Sequence, residues 1–346
     1  MEREAKLMHV VLLAILSIQE GPDASLYRFP KESSWEFAVD AEGKKSSNRM
    51  AWELEVKDGF LVHGKEDRFF KLGARKGETW GDGERLRTYL GTVEVGVPAG
   101  TYKDAHLVRW TSGDGETDTW LVPRIGIVRV EFRSGGKVLM VQEATSISLG
   151  GALPVDLSKH HNGKLDRTWH PKTNLSDEKN NDLGDLPRGH QLFAGTLFHA
   201  AGVVQLQGKS ARGWGADFPE KVEGIAVARK AKKVHFLHST GWSDEEGTVL
   251  AKIVVRTADG KAHEMPVKYG IDVRDWWFWP DEPLKAKLGA LAWTGQNGAC
   301  KAQGMFIRLF KGTWENPTPE AEVTTIDYVS TMSKAAPFLV AVTTEP

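Results

Sequence analysis

The segment DVRDWWFWP, Asp272–Pro280, places aromatic and charged side chains side by side. Three tryptophans and a phenylalanine follow an arginine and two aspartates. Sugars present apolar C–H faces that stack on tryptophan rings, and neighbouring Asp or Arg side chains bond their hydroxyl groups. The combination is typical of a carbohydrate-binding site. The candidate ligand-binding residues are Trp276, Trp279, Arg274 and Asp275, together with Trp242 in the STGW turn.

The same segment also fits a buried strand. In a strand, residues two apart share a face, so Trp277 and Trp279 lie opposite Trp276 and Phe278. Both faces are then apolar, and Pro280 ends the run because proline cannot donate to a sheet ladder. We therefore assign Trp277 to the core and expect Trp276 and Trp279 near the strand's end, where a ring can reach solvent. The alternation favours burial of most of the run, and stacking of at least one ring on a ligand is the alternative.

Catalytic and metal-binding spacings are absent from the sequence. The histidines between His160 and His199 form no H-E-x-x-H motif and no i,i+4 pair, so we predict no histidine metal site. The chain also has no G-x-S-x-G elbow. We predict no catalytic residue and no enzyme. A glycoside hydrolase, which requires two converging carboxylates, stays a second alternative.

Alternation with a period of two recurs along the chain and predicts antiparallel strands. MAWELEV, Met50–Val56, and VRVEF, Val128–Phe132, alternate apolar and polar residues, and turn signals such as SGDG and ADG separate such runs. The composition becomes polar and poor in strand signals after LGGALP, Leu149–Pro154. We therefore predict an all-β protein with two antiparallel β domains, residues 20–150 and 151–346.

Composition and the first residues indicate the compartment. The 346 residues include 45 basic and 46 acidic side chains, a net charge of -1 that argues against nucleic acid as a partner. The apolar run Leu7–Ile18 has the length of a signal-peptide core and is short for a membrane span. We predict a signal peptide at residues 1–19, export to the periplasm or beyond, and no membrane span after cleavage. A buried N-terminal helix is the alternative. Cys300 is the single cysteine, so no intramolecular disulfide forms.

Two stretches of the first half resemble exported bacterial β-proteins of unknown function. They are VPAGTYKDAHLVRW, Val97–Trp110, and TWLVPRIGIVRVEF, Thr119–Phe132. The family pattern has tryptophan-tyrosine where this chain has Trp120 and Leu121. The resemblance implies an open, lipoprotein-carrier-like β-sheet and brings no catalytic residue with it.

The second half resembles a module of exported and surface proteins from planctomycete-type bacteria. The resemblance implies a galactose-binding-like (jelly-roll) β-sandwich, a fold in which a structural calcium ion is common, here near Asp177–Asp185. The GTLF sequence at 195–198 departs from the module's usual GVPF. The similar stretches are Leu186–Lys209, Val234–Trp242, Val254–Trp277, Thr313–Ser330 and Ala335–Thr343.

Together these patterns predict an exported, non-catalytic binding protein. Its expected partner is a carbohydrate, held by exposed aromatic side chains of the C-terminal sandwich. The first alternative is a structural or protein-interaction component of the bacterial envelope, which a large flat apolar patch or an open strand edge would favour.

Overall fold

The computed structural model describes residues 24–51, 54–64, 67–83, 85–170 and 180–346. The predicted signal peptide lies outside these ranges. Strands make up most of the regular structure, and every pair of strands in the described ranges is antiparallel, which confirms the all-β prediction. No helix in the described part of the chain is long and apolar enough to cross a membrane.

The N-terminal half forms one large sheet and one small sheet. A 3-10 turn, Ala24–Tyr27, precedes the first strand. The strands are β1 (Ser34–Ala41), β2 (Lys44–Met50), β3 (Leu54–Lys57), β4 (Phe60–His63), β5 (Asp67–Lys71), β6 (Thr79–Asp82), β7 (Arg85–Val97), β8 (Gly100–Ser112), β9 (Gly115–Val122), β10 (Gly126–Ser134) and β11 (Lys137–Ser148).

The large sheet follows the alternation of its sequence. β1 buries Trp35 and Phe37 and exposes Glu36 and Ala38, because successive side chains of a strand point to opposite faces. The indole Nε1 of Trp35 donates to the carbonyl oxygen of Ile125 at 2.8 Å, so the ring is buried without losing a hydrogen bond. From β8, the strands β9, β10, β11, β1 and β2 follow in that order to one edge of the sheet. On the other side of β8, β7 pairs with β8, and β6 pairs with β7.

The small sheet, β3-β4-β5, packs on a face of the large one. Leu61 and Phe70 of the small sheet share a core with Tyr89, Val108 and Leu121 of the large sheet. The run predicted as one strand over Met50–Val56 is divided, since β2 ends at Met50 and β3 begins at Leu54. Trp52 and Glu53 of that run lie outside the described residues.

The C-terminal half contains two further sheets. It also has two short helices, α1 (Lys209–Gly213) and α2 (Gly298–Ala302). The strands are β12 (Leu153–Pro154), β13 (Gly189–Phe193), β14 (Thr196–Ala200), β15 (Val204–Gln205), β16 (Lys221–Lys230), β17 (Lys233–Gly241), β18 (Val249–Thr257), β19 (Ala262–Lys268), β20 (Trp277–Phe278), β21 (Ala290–Gly295), β22 (Phe306–Glu315), β23 (Glu322–Ser330) and β24 (Ala336–Glu345).

A four-stranded sheet, β16-β23-β18-β19, and a seven-stranded sheet with the path β12-β24-β17-β22-β20 enclose a common core. Ile253 and Tyr328 come from the first sheet, and Phe236 and Phe310 from the second. The arrangement is therefore a two-layer sandwich. The seven-stranded sheet is buried on its other face as well, where Leu237, next to Phe236, enters a second core.

One hairpin connects the two halves. β13 and β14 follow the predicted boundary at residue 150, yet they join the large N-terminal sheet through the pair Gly189 and Gly100. A Cβ atom on Gly189 would lie 2.2 Å from the carbonyl oxygen of Ala99, so only glycine allows this approach. The hydroxyl of Tyr102 donates to the carbonyl oxygen of His190 at 3.0 Å and reinforces the junction.

Candidate ligand-binding site

The predicted segment runs along the edge of the seven-stranded sheet. Asp275 forms an isolated parallel bridge with Thr240, and the amide of Trp276 donates to the carbonyl oxygen of Thr240 at 2.8 Å. The two residues of β20, Trp277 and Phe278, then pair with β22. The backbone is therefore anchored on both sides before the chain reaches Trp279.

Trp276 lies in the interior, which corrects the expectation that its ring can reach solvent. Its side chain is only 3% exposed. Its ring is stacked on His170, with centroids 5.2 Å apart, and it contacts Trp169 at 5.2 Å and Phe338 at 5.7 Å. Residues distant in sequence cover the strand's end, so this indole cannot stack on a ligand at the surface.

Trp277 is a core residue, as its place in the alternation predicts. It is 9% exposed, and its indole Nε1 donates to Oδ1 of Asn181 at 3.1 Å. Nδ2 of Asn297 donates to the same oxygen at 3.2 Å. The polar edge of the ring thus has a buried partner.

Arg274 and Asp275 hold the local backbone. Arg274 Nη1 lies 2.7 Å from Oε1 of Glu246, and its Nε donates to the carbonyl oxygen of Lys285 at 3.1 Å. Oδ1 of Asp275 accepts the amide of Trp277 at 3.2 Å. Burial raises the pKa of the Asp275 carboxyl to about 7, against the hydrogen bond from Trp277 and the charge of Arg308, which both lower it.

Arg308 also fixes the backbone of this segment, and no sequence pattern indicated this role. It is 1% exposed, its Nε donates to the carbonyl oxygen of Asp275 at 2.9 Å, and its Nη1 donates to that of Pro283 at 2.6 Å. Its guanidinium also lies 4.6 Å from the centroid of the Phe278 ring. These contacts fix the position of the segment. Its charged residues, Arg274 and Asp275, have partners within the protein, so their presence does not require a ligand.

The remaining predicted residues do not converge. Trp242 is half-buried, and its ring lies 5.3 Å from that of His170. Trp279 is 41% exposed at the end of β20. Trp242 and Trp276 thus meet around one buried histidine, whereas Trp279 is on the surface.

A different set of aromatic and charged residues lines an open pocket in the N-terminal half. The pocket has a volume of about 760 Å³. Its aromatic lining consists of Phe60 on β4, Trp80 on β6 and Trp110 on β8. Nε1 of Trp80 donates to the carbonyl oxygen of Arg68 at 2.8 Å, which fixes the orientation of this half-exposed ring.

Strand register places two of these tryptophans on either side of an arginine. Trp80 of β6 pairs with Arg87 of β7, and Arg87 pairs in turn with Trp110 of β8. Directly paired residues point to the same face of a sheet, so the three side chains form a row, with the tryptophan strands about 10 Å apart. The guanidinium of Arg87 lies 5.9 Å from the Trp110 ring centroid.

Charged side chains complete the lining. Nη2 of Arg87 lies 2.8 Å from Oδ1 and 3.0 Å from Oδ2 of Asp67. Arg68, Arg85 and Asp82 also face the pocket. The sequence signal for this site is TWGDGERLR, Thr79–Arg87, in which a glycine turn folds Trp80 back opposite Arg87.

The structure offers no cluster for a metal within its described ranges. No group of three or more His, Cys, Asp or Glu side chains there is placed to hold an ion. The predicted calcium region begins at Asp177, outside the described residues, and Oδ1 of Asp182 accepts the amide of Gly184 at 2.9 Å. His170 is buried, which lowers its pKa to about 3 and keeps the imidazole neutral.

Comparison with known proteins leaves the family open. No protein-family model matches the chain, and no curated protein does. Among solved structures, the mosquito-larvicidal Cry4Aa toxin from Bacillus thuringiensis aligns with 95% of this chain and 54% of its own, at 9% identity and a TM-score of 0.21. A likeness at that level carries no argument about this protein. The two family resemblances of the sequence stay predictions.

Proposed function

We propose that the protein is an exported, non-catalytic carbohydrate-binding protein that holds its ligand in the pocket of the N-terminal half. The observation that carries the proposal is the row of Trp80, Arg87 and Trp110 across three adjacent strands. Two aromatic faces with a charged group between them supply both kinds of contact that sugar recognition needs. The pocket volume of about 760 Å³ lies within the usual range for small-ligand sites, roughly 300–1,000 Å³.

The proposal moves the site away from the C-terminal aromatic segment. Trp276 and Trp277 are buried there and have protein partners. Trp279 is exposed, but exposed single apolar residues are common on protein surfaces and need no ligand. The polar residues beside it, Arg274 and Asp275, are already engaged by the protein's own backbone and side chains.

Binding without catalysis is supported by the state of the pocket carboxylates. A glycosidase uses one carboxyl group as an acid and a second as nucleophile or base. Both oxygens of Asp67 are engaged by Arg87, which leaves Asp82 as the other carboxylate of the described lining. We therefore assign this lining to recognition.

The export part of the proposal rests on the apolar run Leu7–Ile18 and on the resemblance to exported planctomycete-type proteins. N-terminal sequencing of the protein recovered from outside the cytoplasm tests it. A mature chain that begins near residue 20 would support export, and an intact Met1 in the cytoplasmic fraction would oppose it.

Binding is tested with the mature chain on a glycan array, followed by calorimetry on the best ligand. Replacement of Trp110 by Ala should weaken binding roughly three- to tenfold through loss of one stacked ring. Trp279→Ala removes an exposed tryptophan outside the pocket and is the matched control. Circular dichroism of each variant separates lost binding from lost folding.

Two results would overturn the proposal. One is a folded wild-type protein that retains no glycan. The other is a loss of binding in Trp279→Ala with full binding in Trp110→Ala, which would return the site to the C-terminal segment. Release of shortened glycan during the assay would instead support the hydrolase alternative.

A further inference from the structure

The described lining of the pocket contains more basic than acidic side chains. Three arginines, Arg68, Arg85 and Arg87, line it against two aspartates, Asp67 and Asp82. Arg87 and Asp67 neutralise each other at 2.8 Å. Two guanidinium groups therefore remain against one carboxylate in the described lining.

The two remaining guanidinium groups are presented to solvent. Arg68 is exposed on β5, and its guanidinium lies 5.0 Å from the centroid of the Phe60 ring, which orients it at the pocket wall. Arg85 is exposed at the start of β7, directly across the hairpin from Asp82. Neither guanidinium forms an ion pair within the part of the chain that the structure describes.

A guanidinium group is a planar fork of donors that matches the two oxygens of a carboxylate. A neutral sugar has no group that uses this fork fully, whereas a sugar ring with a carboxylate does. The apolar face of such a ring still stacks on Trp80 or Trp110.

We propose that the pocket selects acidic saccharides, in which a uronate-type carboxylate is bound by Arg68 and Arg85 while the sugar ring stacks on Trp80 or Trp110. This inference rests on the proposed carbohydrate-binding function. Asp82, opposite Arg85, accepts a hydrogen bond from a hydroxyl group of the same ligand.

Oligogalacturonate and its fully methyl-esterified form are the matched probes, because they share their rings and differ in charge. Wild-type protein should bind the acid roughly tenfold or more tightly than the ester in calorimetry. This preference should shrink when NaCl is raised from about 0.05 M to about 0.5 M, since salt screens exposed charges.

Variants separate the site from the overall charge of the protein. Arg68→Gln and Arg85→Gln should each lower the affinity for the acid more than that for the ester, and so reduce the preference for the acid. Arg75→Gln makes the same charge change at an exposed position that does not line the pocket, and it should keep the preference. Arg68→Lys keeps the charge but loses the planar fork, and it should retain only part of the preference.

Each outcome bears on one proposal or the other. Equal affinity for acid and ester, with both weakened by Trp110→Ala, would overturn the acidic selectivity and leave carbohydrate binding in place. An equal loss in Arg75→Gln and Arg85→Gln would also overturn it, because net charge alone would then account for the preference. Failure of folded protein to bind either probe or any arrayed glycan would remove the proposed function itself.

Discussion

Replacement of Asp275 by Asn should remove the loss of stability that this carboxyl group causes as the pH rises. The side chain is half-buried at the edge of the sandwich, and loss of hydration raises the pKa of its carboxyl from the ordinary 3.8 to about 7. Between these two values the unfolded chain ionises the group while the folded protein keeps it protonated. The stability associated with this group is therefore full below about pH 4 and is lost as pH rises through about 7.

The size of the effect follows from the difference in pKa. A change of one pKa unit corresponds to about 1.4 kcal/mol, so the wild type should lose at most about 4 kcal/mol across this range. Asparagine keeps an oxygen that can accept the amide of Trp277, and it does not ionise. The variant should therefore gain on the wild type by up to this amount as the pH rises from about 4 to about 8.

Urea unfolding of both proteins at several pH values measures this difference, because every other titrating group is common to the two. Asp281→Asn changes an exposed carboxylate on the same segment and should keep the wild-type pH profile. Parallel profiles for wild type and Asp275→Asn would refute the reasoning. So would a wild type that gains stability relative to the variant as the pH rises from about 4 to about 8, since the attraction of Arg308 would then outweigh the burial of the carboxylate.

Two further predictions concern a buried histidine and a close backbone contact. Burial lowers the pKa of His238 from 6.5 to about 4, so this group reduces the stability of the folded protein as the pH falls from about 6.5 to about 4. Over that range His238→Leu should lose up to about 3 kcal/mol less stability than the wild type. Urea titrations at both pH values measure this reduction, and an unchanged acid sensitivity would contradict it. Gly189→Ala should lower the free energy of unfolding by about 2 kcal/mol more than Gly195→Ala does. Both glycines have a positive φ, +76° at Gly189 and +77° at Gly195, but only at Gly189 would the added methyl group meet a neighbour, Ala99. Thermal unfolding compares the two variants, and equal losses would mean that the contact is easily relieved.

Local sequence patterns predict much of the fold because strand alternation is a local property. Trp35 and Phe37 alternate with exposed residues and mark β1, and Trp277 is buried as its position requires. The strand predicted over Met50–Val56 is divided because β2 belongs to the large sheet and β3 to the small one. Alternation identifies strand residues but does not say which sheet they join.

The surroundings of the candidate binding residues depend even more on contacts between residues that are distant in sequence. The sequence leaves the exposure of Trp276 open, and the ring is buried because His170 and Phe338, both distant in sequence, cover it. Trp80 and Trp110 are 30 residues apart and become members of one row through the register of β6, β7 and β8. The sequence by itself determined the all-β class, the turn positions and the presence of aromatic and charged side chains. Only the tertiary structure decided which rings face solvent, because exposure depends on strand pairing and on distant residues that cover each ring.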